Sequence, residues 1–412
     1  MKEKLYSLFQ DSLFRNSFYL MLATGVMAGF GFFFWLISAR LFSTEDIGLA
    51  TTLISVMNII ALLSLIGFDS AFVRFLPNSD KRNDHLNTGL ILVGATALVL
   101  AFLFIVFVPE ISPRISFIGE NLPIALAFIF FCVMSALNIL TDSVFLADRQ
   151  TKFTLIINTA FSVLKMVLPF AFIGWGALGV FTAAAIAQTV GFVLSIVVMM
   201  RKFDYRPQFI ISNNILKLVR QYCLGNYIAV ILNLLPIALL PIIITNNLGP
   251  EQAAYYYIVM MIANLLYVIP QATTKSLFAE GSNNEGTLRT NVGKSVRNIS
   301  ILLIPAIAVL ILGGKYILGI FGEDYSTGGL TLLYFIAIAA IPVSGYSIFY
   351  ALLRIKKGLN GLIITNIFYA GSIIGLSYAL LPMGLVGIGI AWLFGNVVAS
   401  VVSCLMTTQG KR

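Results

Sequence analysis

The chain has 412 residues, of which 59% are hydrophobic and 10% charged, and it carries a formal net charge of +9. So few charges cannot clothe a soluble domain of this length, which excludes a water-soluble enzyme or binding module and leaves a membrane protein. The basic residues are spread over short segments with no compact basic domain, so the charge balance does not indicate a nucleic-acid partner.

A spanning helix needs roughly 20 apolar residues, and such windows fall at 17–39, 47–73, 88–109, 121–145, 154–174 and 177–200 in the first half. The second half repeats the count at 222–246, 251–274, 298–314, 328–350, 360–381 and 384–406. The fold class is therefore an all-α polytopic membrane protein with twelve transmembrane helices. Its organisation is expected to be an N-terminal six-helix lobe over 1–200, a cytoplasmic inter-lobe linker with an amphipathic helix over 201–221, and a C-terminal six-helix lobe over 222–412. In that linker Ile215, Leu218 and Val219 alternate with Lys217, Arg220 and Gln221 at helical spacing, which suits a helix lying on the membrane surface.

The first apolar run is too long for a signal-peptide core and ends at Arg40 rather than at a small-residue cleavage site, so no cleaved signal is expected. Orientation follows from Lys and Arg, which accumulate in cytoplasmic loops. With the N-terminus inside, 22 of the 26 basic residues fall on that side, against Arg40, Arg114 and Lys315 opposite and Lys165 within the membrane. Both termini are thus expected in the cytoplasm.

The chain also repeats near half its length. Ser43-Thr44-Glu45-Asp46 leads into the second helix as Gly249-Pro250-Glu251-Gln252 leads into the eighth. Gly176-Ala177-Leu178-Gly179 recurs 208 positions later as Gly384-Leu385-Val386-Gly387, and Asn158 pairs with Asn366 and Gln188 with Asn396 at the same offset. Six helices return the chain to its starting side, so the lobes are expected to be related by a pseudo-twofold axis along the membrane normal.

Polar residues form seams at helical spacing. Helix five carries Asn158, Ser162, Lys165 and Pro169; helix two carries Thr51, Ser55, Asn58 and Asp69; helix four carries Ser135, Asn138 and Asp142. In the second half, helix seven carries Asn226 and Asn233, and helix eight carries Tyr257, Asn264, Gln271 and Lys275. Two readings stand for such seams, a cleft for cargo or hydrogen-bonded packing between helices. Lys165 is the sharpest case, since a lysine at mid-membrane depth costs roughly 2.5 to 3.5 kcal/mol on insertion scales. It either faces a watery cavity and an anionic cargo or pairs with Asp142 or Asp69 from a neighbouring helix, while those two acids could instead pair with Arg74 or Arg149.

The remaining signals are negative. All 17 acidic residues lie in loops or near helix ends, so an ion-coupling carboxylate at the midplane is not indicated. His85, the single histidine, falls in the polar segment between helices two and three and reads as a solvated loop residue. Cys132, Cys223 and Cys404 are scattered, and no metal-ligand spacing or GxxxxGK loop occurs, so neither a metal, a cofactor nor ATP hydrolysis is expected.

The first hairpin, Ala39-Arg40-Leu41-Phe42-Ser43-Thr44-Glu45-Asp46-Ile47-Gly48, is followed by Leu65-Ile66-Gly67-Phe68-Asp69-Ser70-Ala71-Phe72-Val73-Arg74. With the twelve-helix plan, this resembles the oligosaccharide-lipid flippases of the polysaccharide biosynthesis group. These belong to the multidrug/oligosaccharidyl-lipid/polysaccharide exporter (MOP) superfamily. The resemblance implies a V-shaped pair of lobes that moves an isoprenoid-pyrophosphate-linked oligosaccharide across the cytoplasmic membrane by alternating access, with cationic side chains in the cavity. Lys165, Arg74 and Arg15 are the positions that could play that part, with Asn58, Asn138, Asn158, Asn226, Asn233 and Asn264 for sugar hydroxyls and Asp69 and Asp142 also in the cavity. Membrane lipids and glycan-assembly enzymes are the implied partners of a monomer. The lipid II flippase branch usually has two further helices, and no hydrophobic pair follows helix twelve. A multidrug extruder of the same superfamily, or a membrane glycan polymerase or ligase, are the competing readings.

Overall fold

The computed structural model describes residues 12–283, 288–356 and 358–409, and every regular element among them is helical. Helix is the form a single segment can take in lipid, because it satisfies all its own backbone donors and acceptors. Twelve helices are long and apolar enough to span a bilayer. In the first half they are α1 Ser12–Leu41, α2 Thr44–Ser64, α3 Arg82–Ile111, α4 Leu122–Ala147, α5 Thr151–Ala171 and α6 Gly176–Lys202. In the second they are α7 Leu224–Leu248, α8 Pro250–Asn283, α9 Leu288–Gly319, α10 Leu330–Ile355, α11 Leu359–Ala379 and α12 Gly384–Gln409.

The chain divides into two compact units after Tyr227. The sequence repeat is matched in three dimensions by the packing inside each unit. In the first, α2 packs on α3 and α4, α3 on α4, α4 on α6 and α5 on α6. In the second, α8 packs on α9 and α10, α9 on α10, α10 on α12 and α11 on α12. Large buried side chains fill each core, Phe34, Phe68, Phe72, Phe128 and Phe145 in one and Tyr256, Phe321, Tyr325 and Trp392 in the other. Exposed Leu98, Phe102, Val106 on α3 and Ile301, Ile304, Leu312 on α9 present the apolar face a bilayer requires.

The recurring glycine pair at the start of α6 and α12 has a backbone cause. Gly176 and Gly384 both sit at positive φ, +53° and +62°, each directly after a short 3-10 turn. Three residues on, a Cβ on Gly179 would lie 2.2 Å from the carbonyl oxygen of Phe172, and one on Gly387 would lie 2.0 Å from that of Leu380. Asp46 adds a local tie. Its backbone N–H donates to the Ser43 hydroxyl at 3.1 Å, capping α2, and its carboxylate accepts from the Ala177 N–H at 2.9 Å in the first turn of α6.

Three details differ from the sequence reading. The apolar window 47–73 is not one helix: α2 stops at Ser64, Ile66 and Gly67 take positive φ, and a separate helix runs Phe68–Phe75. Asp69 therefore leaves the face shared by Thr51, Ser55 and Asn58. His85 is no solvated loop residue, because α3 begins earlier than hydropathy suggests and buries the ring in its first turn. Residues 206–212, within the linker, run along the start of α3, where Asn83 donates to the Arg206 carbonyl and accepts from the Arg206 N–H, both at 2.9 Å. Within the linker a short helix runs Asn213–Leu218, and its Ile215, with the following Val219, is buried in the core of the first unit.

Candidate functional site

Each unit holds a cavity of its own. In the second unit a cavity of about 710 Å³ opens among α7, α8 and α10, with Tyr369 of α11 and Trp392 of α12 closing it. The geometry follows from helical repeat. On α8, Asn264, Gln271, Lys275 and Phe278 lie on one stripe, and on α10 Tyr346, Tyr350 and Arg354 recur every four residues. Two cations, several side-chain amides and four tyrosines line it, and no described lining residue is acidic.

A hydrogen-bonded relay holds these walls. Asn233 donates to the Tyr346 hydroxyl at 2.6 Å, Tyr346 donates to the Asn366 side-chain oxygen at 2.8 Å, and Asn366 donates to the Ala229 carbonyl at 2.8 Å. The Tyr346 ring stacks on Tyr369 with centroids 5.2 Å apart. Deeper, Trp392 donates to the Tyr267 hydroxyl at 3.0 Å, which donates to the Ile336 carbonyl. Arg354 rests over Phe278, 4.6 Å from the ring centroid, which supports its charge while leaving N–H groups for a ligand.

The first unit's cavity, about 610 Å³, has the opposite polarity. Asp69, Asp142 and Asn158 meet in it beside Thr24, Ser143 and Thr154, and no described lining residue is basic. Asn158 is buried, donates to the Met27 sulfur at 3.2 Å and lies against the Asp142 carboxyl.

The sequence-derived candidates thus separate into groups. Asp69, Asp142 and Asn158 share the first cavity, and Asn233 and Asn264 share the second. Lys165 lines neither. Its ammonium lies 4.3 Å from the centroid of the buried Phe34 ring on α1, and among the described residues it forms no ion pair with Asp142 or Asp69. A carboxylate pairing is seen between Asp148 and Arg82, two parallel bonds of 2.7 and 2.5 Å. Asn138 is packed against Gly191 of α6, and Asn58 is half-buried away from both cavities. Arg74 is exposed and lines a third, basic hollow. The side chains of Arg15 and Asn226 lie outside the described residues. Missed from sequence were Tyr346, Tyr350, Arg354, Tyr369 and Trp392, although the four-residue repeat Tyr346, Tyr350, Arg354 is a readable stripe.

Twelve spanning helices and polar cavities inside the two units, among the described residues, define a multi-pass membrane protein. The family model of polysaccharide biosynthesis proteins matches residues 37–328, and the chain belongs to that family. No curated protein matches it in sequence. Among solved structures it is similar to an inward-facing multidrug resistance MATE family transporter of the MOP superfamily, with 17% identity, TM-score 0.72 and 93% of each chain covered. It is also similar to an outward-facing structure of such a transporter, with 17% identity, TM-score 0.63, and 97% of this chain and 95% of the other covered. A third is a MOP superfamily transporter from Pyrococcus furiosus described as having reverse polarity of its binding pocket, with 17% identity, TM-score 0.65 and the same coverage. At this identity the likeness concerns the fold.

Proposed function

We propose that the protein is a flippase that carries an isoprenoid-pyrophosphate-linked oligosaccharide across the cytoplasmic membrane by alternating access, for surface polysaccharide or glycoconjugate synthesis. The observation that carries this reading is the basic, tyrosine-lined cavity of the second unit. Sugars offer hydroxyls for Asn233, Asn264 and Gln271 and flat faces for tyrosine rings, while a diphosphate needs cations, here Lys275 and Arg354. Two unit charges 4 Å apart attract by about 4 kcal/mol at an effective dielectric of 20. An organic cation meets the same magnitude as repulsion. In this reading the termini face the cytoplasm, the protein acts as a monomer, and glycan-assembly enzymes on either side of the membrane supply and consume the cargo.

A second reading, export of an organic cation, draws on Asp69 and Asp142 in the first unit's cavity. Reconstitution separates the two. Vesicles containing the protein and a fluorescent lipid-linked oligosaccharide should expose inner-leaflet label to an outside quencher, and Arg354→Ala with Lys275→Ala should slow this about tenfold or more, as loss of charge-assisted contacts predicts. Uptake of a fluorescent organic cation by the same vesicles, abolished by Asp142→Asn and accompanied by no glycan movement, would overturn the proposal.

A further inference from the structure

We propose that the first unit carries a separate pocket for a phosphate-bearing group, built where residues 74–85 meet the linker helix Asn213–Leu218. This proposal does not rest on the transport reading. The hollow measures about 680 Å³ and is lined by Arg74, Lys81, His85, Asn214, Lys217 and Gln221, with Asp80 as its one described carboxylate. Three cations against one acid give it a positive field, and the amides of Asn78, Asn214 and Gln221 add neutral donors.

His85 shows that the site is built rather than a chance cluster of surface charges. The residue is 6% exposed, and its Nδ1 lies 3.0 Å from the Ser79 hydroxyl. Ser79 also accepts the Lys81 backbone N–H at 3.2 Å, and its hydroxyl proton is free to go to Nδ1. In the neutral tautomer with Nδ1 accepting from Ser79, the ring hydrogen is on Nε2, and Nε2 is buried with no hydrogen-bond partner among the described residues. A buried donor at the wall of a basic hollow, left open by every neighbouring side chain, calls for an acceptor from outside the chain. Phosphate oxygens accept only, so they fit a wall of donors.

The linker completes the pocket. Residues 206–212 are tied to α3 through Asn83, Asn87 and Thr88, with the Gln208 N–H donating to Asn87 at 3.1 Å and the Ser212 N–H donating to Thr88 at 2.8 Å. Burial of Ile215 and Val219 then fixes the short helix, whose Asn214 and Lys217 line the hollow together with Gln221 just beyond the helix. The phosphate has two chemical sources, the headgroup of an anionic phospholipid at the membrane surface or a diphosphate.

The test uses the purified full-length protein. Native mass spectrometry reads retention of phosphatidylglycerol against phosphatidylcholine, and calorimetry reads binding of inorganic pyrophosphate. Arg74 and Lys217 are exposed, so the double variant Arg74→Gln, Lys217→Gln should keep the fold, which gel filtration and an unchanged thermal midpoint verify. It should weaken whichever probe binds by roughly tenfold, as loss of two charge-assisted contacts predicts. His85→Leu should weaken it too, His85→Gln less because it keeps an N–H, and Lys294→Gln in the second unit not at all. Preference for phosphatidylglycerol that pyrophosphate does not displace assigns the headgroup. Pyrophosphate binding, alone or in competition, assigns a diphosphate. Equal retention of both lipids with no pyrophosphate binding overturns the proposal, as does binding that ignores the double variant.

Discussion

Lys165 shows what a single charge in the membrane can and cannot announce. Its sequence context offered an ion pair or a watery cavity; in the structure its ammonium lies over the face of Phe34 and the side chain stays partly exposed. A cation over a ring gains about 0.5 to 2 kcal/mol, which offsets part of the roughly 2.5 to 3.5 kcal/mol cost of a lysine at mid-membrane depth. The position therefore trades stability for positive charge. Lys165→Met should raise the thermal midpoint of the purified protein while lowering glycan movement in vesicles, and Lys165→Arg should keep more of the movement. Full movement with Met would show that the charge is not used. Tyr346 makes the contrasting case, a residue whose hydroxyl both donates and accepts within the wall of the second cavity. Tyr346→Phe leaves the Asn366 oxygen without its donor and Asn233 without its acceptor, so it should destabilise the second unit by about 1 to 3 kcal/mol. A denaturation midpoint equal to that of the unaltered chain would contradict the relay.

At the scale of the element, the two glycine pairs are the firmest link between sequence and fold. Gly179 and Gly387 approach a backbone carbonyl too closely for any side chain, and a carbonyl in a helix-connecting turn cannot step aside as a flexible side chain could. Gly179→Ala and Gly387→Ala should each cost at least 1 to 3 kcal/mol, roughly the range for overpacking, and appear as poor accumulation in the membrane. Gly375→Ala on α11, where nothing lies within 4 Å, should be neutral or mildly stabilising through helix propensity. Equal behaviour of the three would refute the steric reading. The spans and the repeat were legible because length and apolarity are what a bilayer selects, and because a turn that only glycine can make leaves its mark at a fixed offset. The break at Ile66 and Gly67 was not legible, since the apolar run continues through it and hydropathy carries no information about φ. The second cavity was half legible for a similar reason. Asn264, Gln271 and Lys275 stood out as polar letters in an apolar helix, whereas Tyr346, Tyr369 and Trp392 counted towards the span, so their polar atoms and flat faces were hidden in the hydropathy.

Over the whole molecule, the uneven placement of basic residues orders the helix ends into two sets, and that order can be tested independently of any cargo. Lys202 and Lys356 are exposed at the ends of even-numbered helices, and Arg114 and Lys315 are exposed at the ends of odd-numbered ones. If positive charge fixes orientation, Lys202→Cys and Lys356→Cys should react with an impermeant maleimide only after the cytoplasmic face is opened, and Arg114→Cys and Lys315→Cys in intact cells. The native thiols interfere little. Cys132 and Cys223 are buried, and burial, reinforced by the Asp69 carboxylate, pushes the Cys223 thiol up, so less of the reactive thiolate is present at neutral pH. Replacing Cys404, the partly exposed one, by Ser removes the remaining background. Lys275 lies within the last turns of α8, and Arg354 in the last turn of α10, at the ends the labelling would assign to the cytoplasm. Cytoplasmic labelling at Lys356 would thus put the cations of the second cavity where a diphosphate-linked glycan is made. Labelling of Lys356→Cys from outside intact cells would invert that geometry and remove the direction from the proposed transport while leaving the fold untouched.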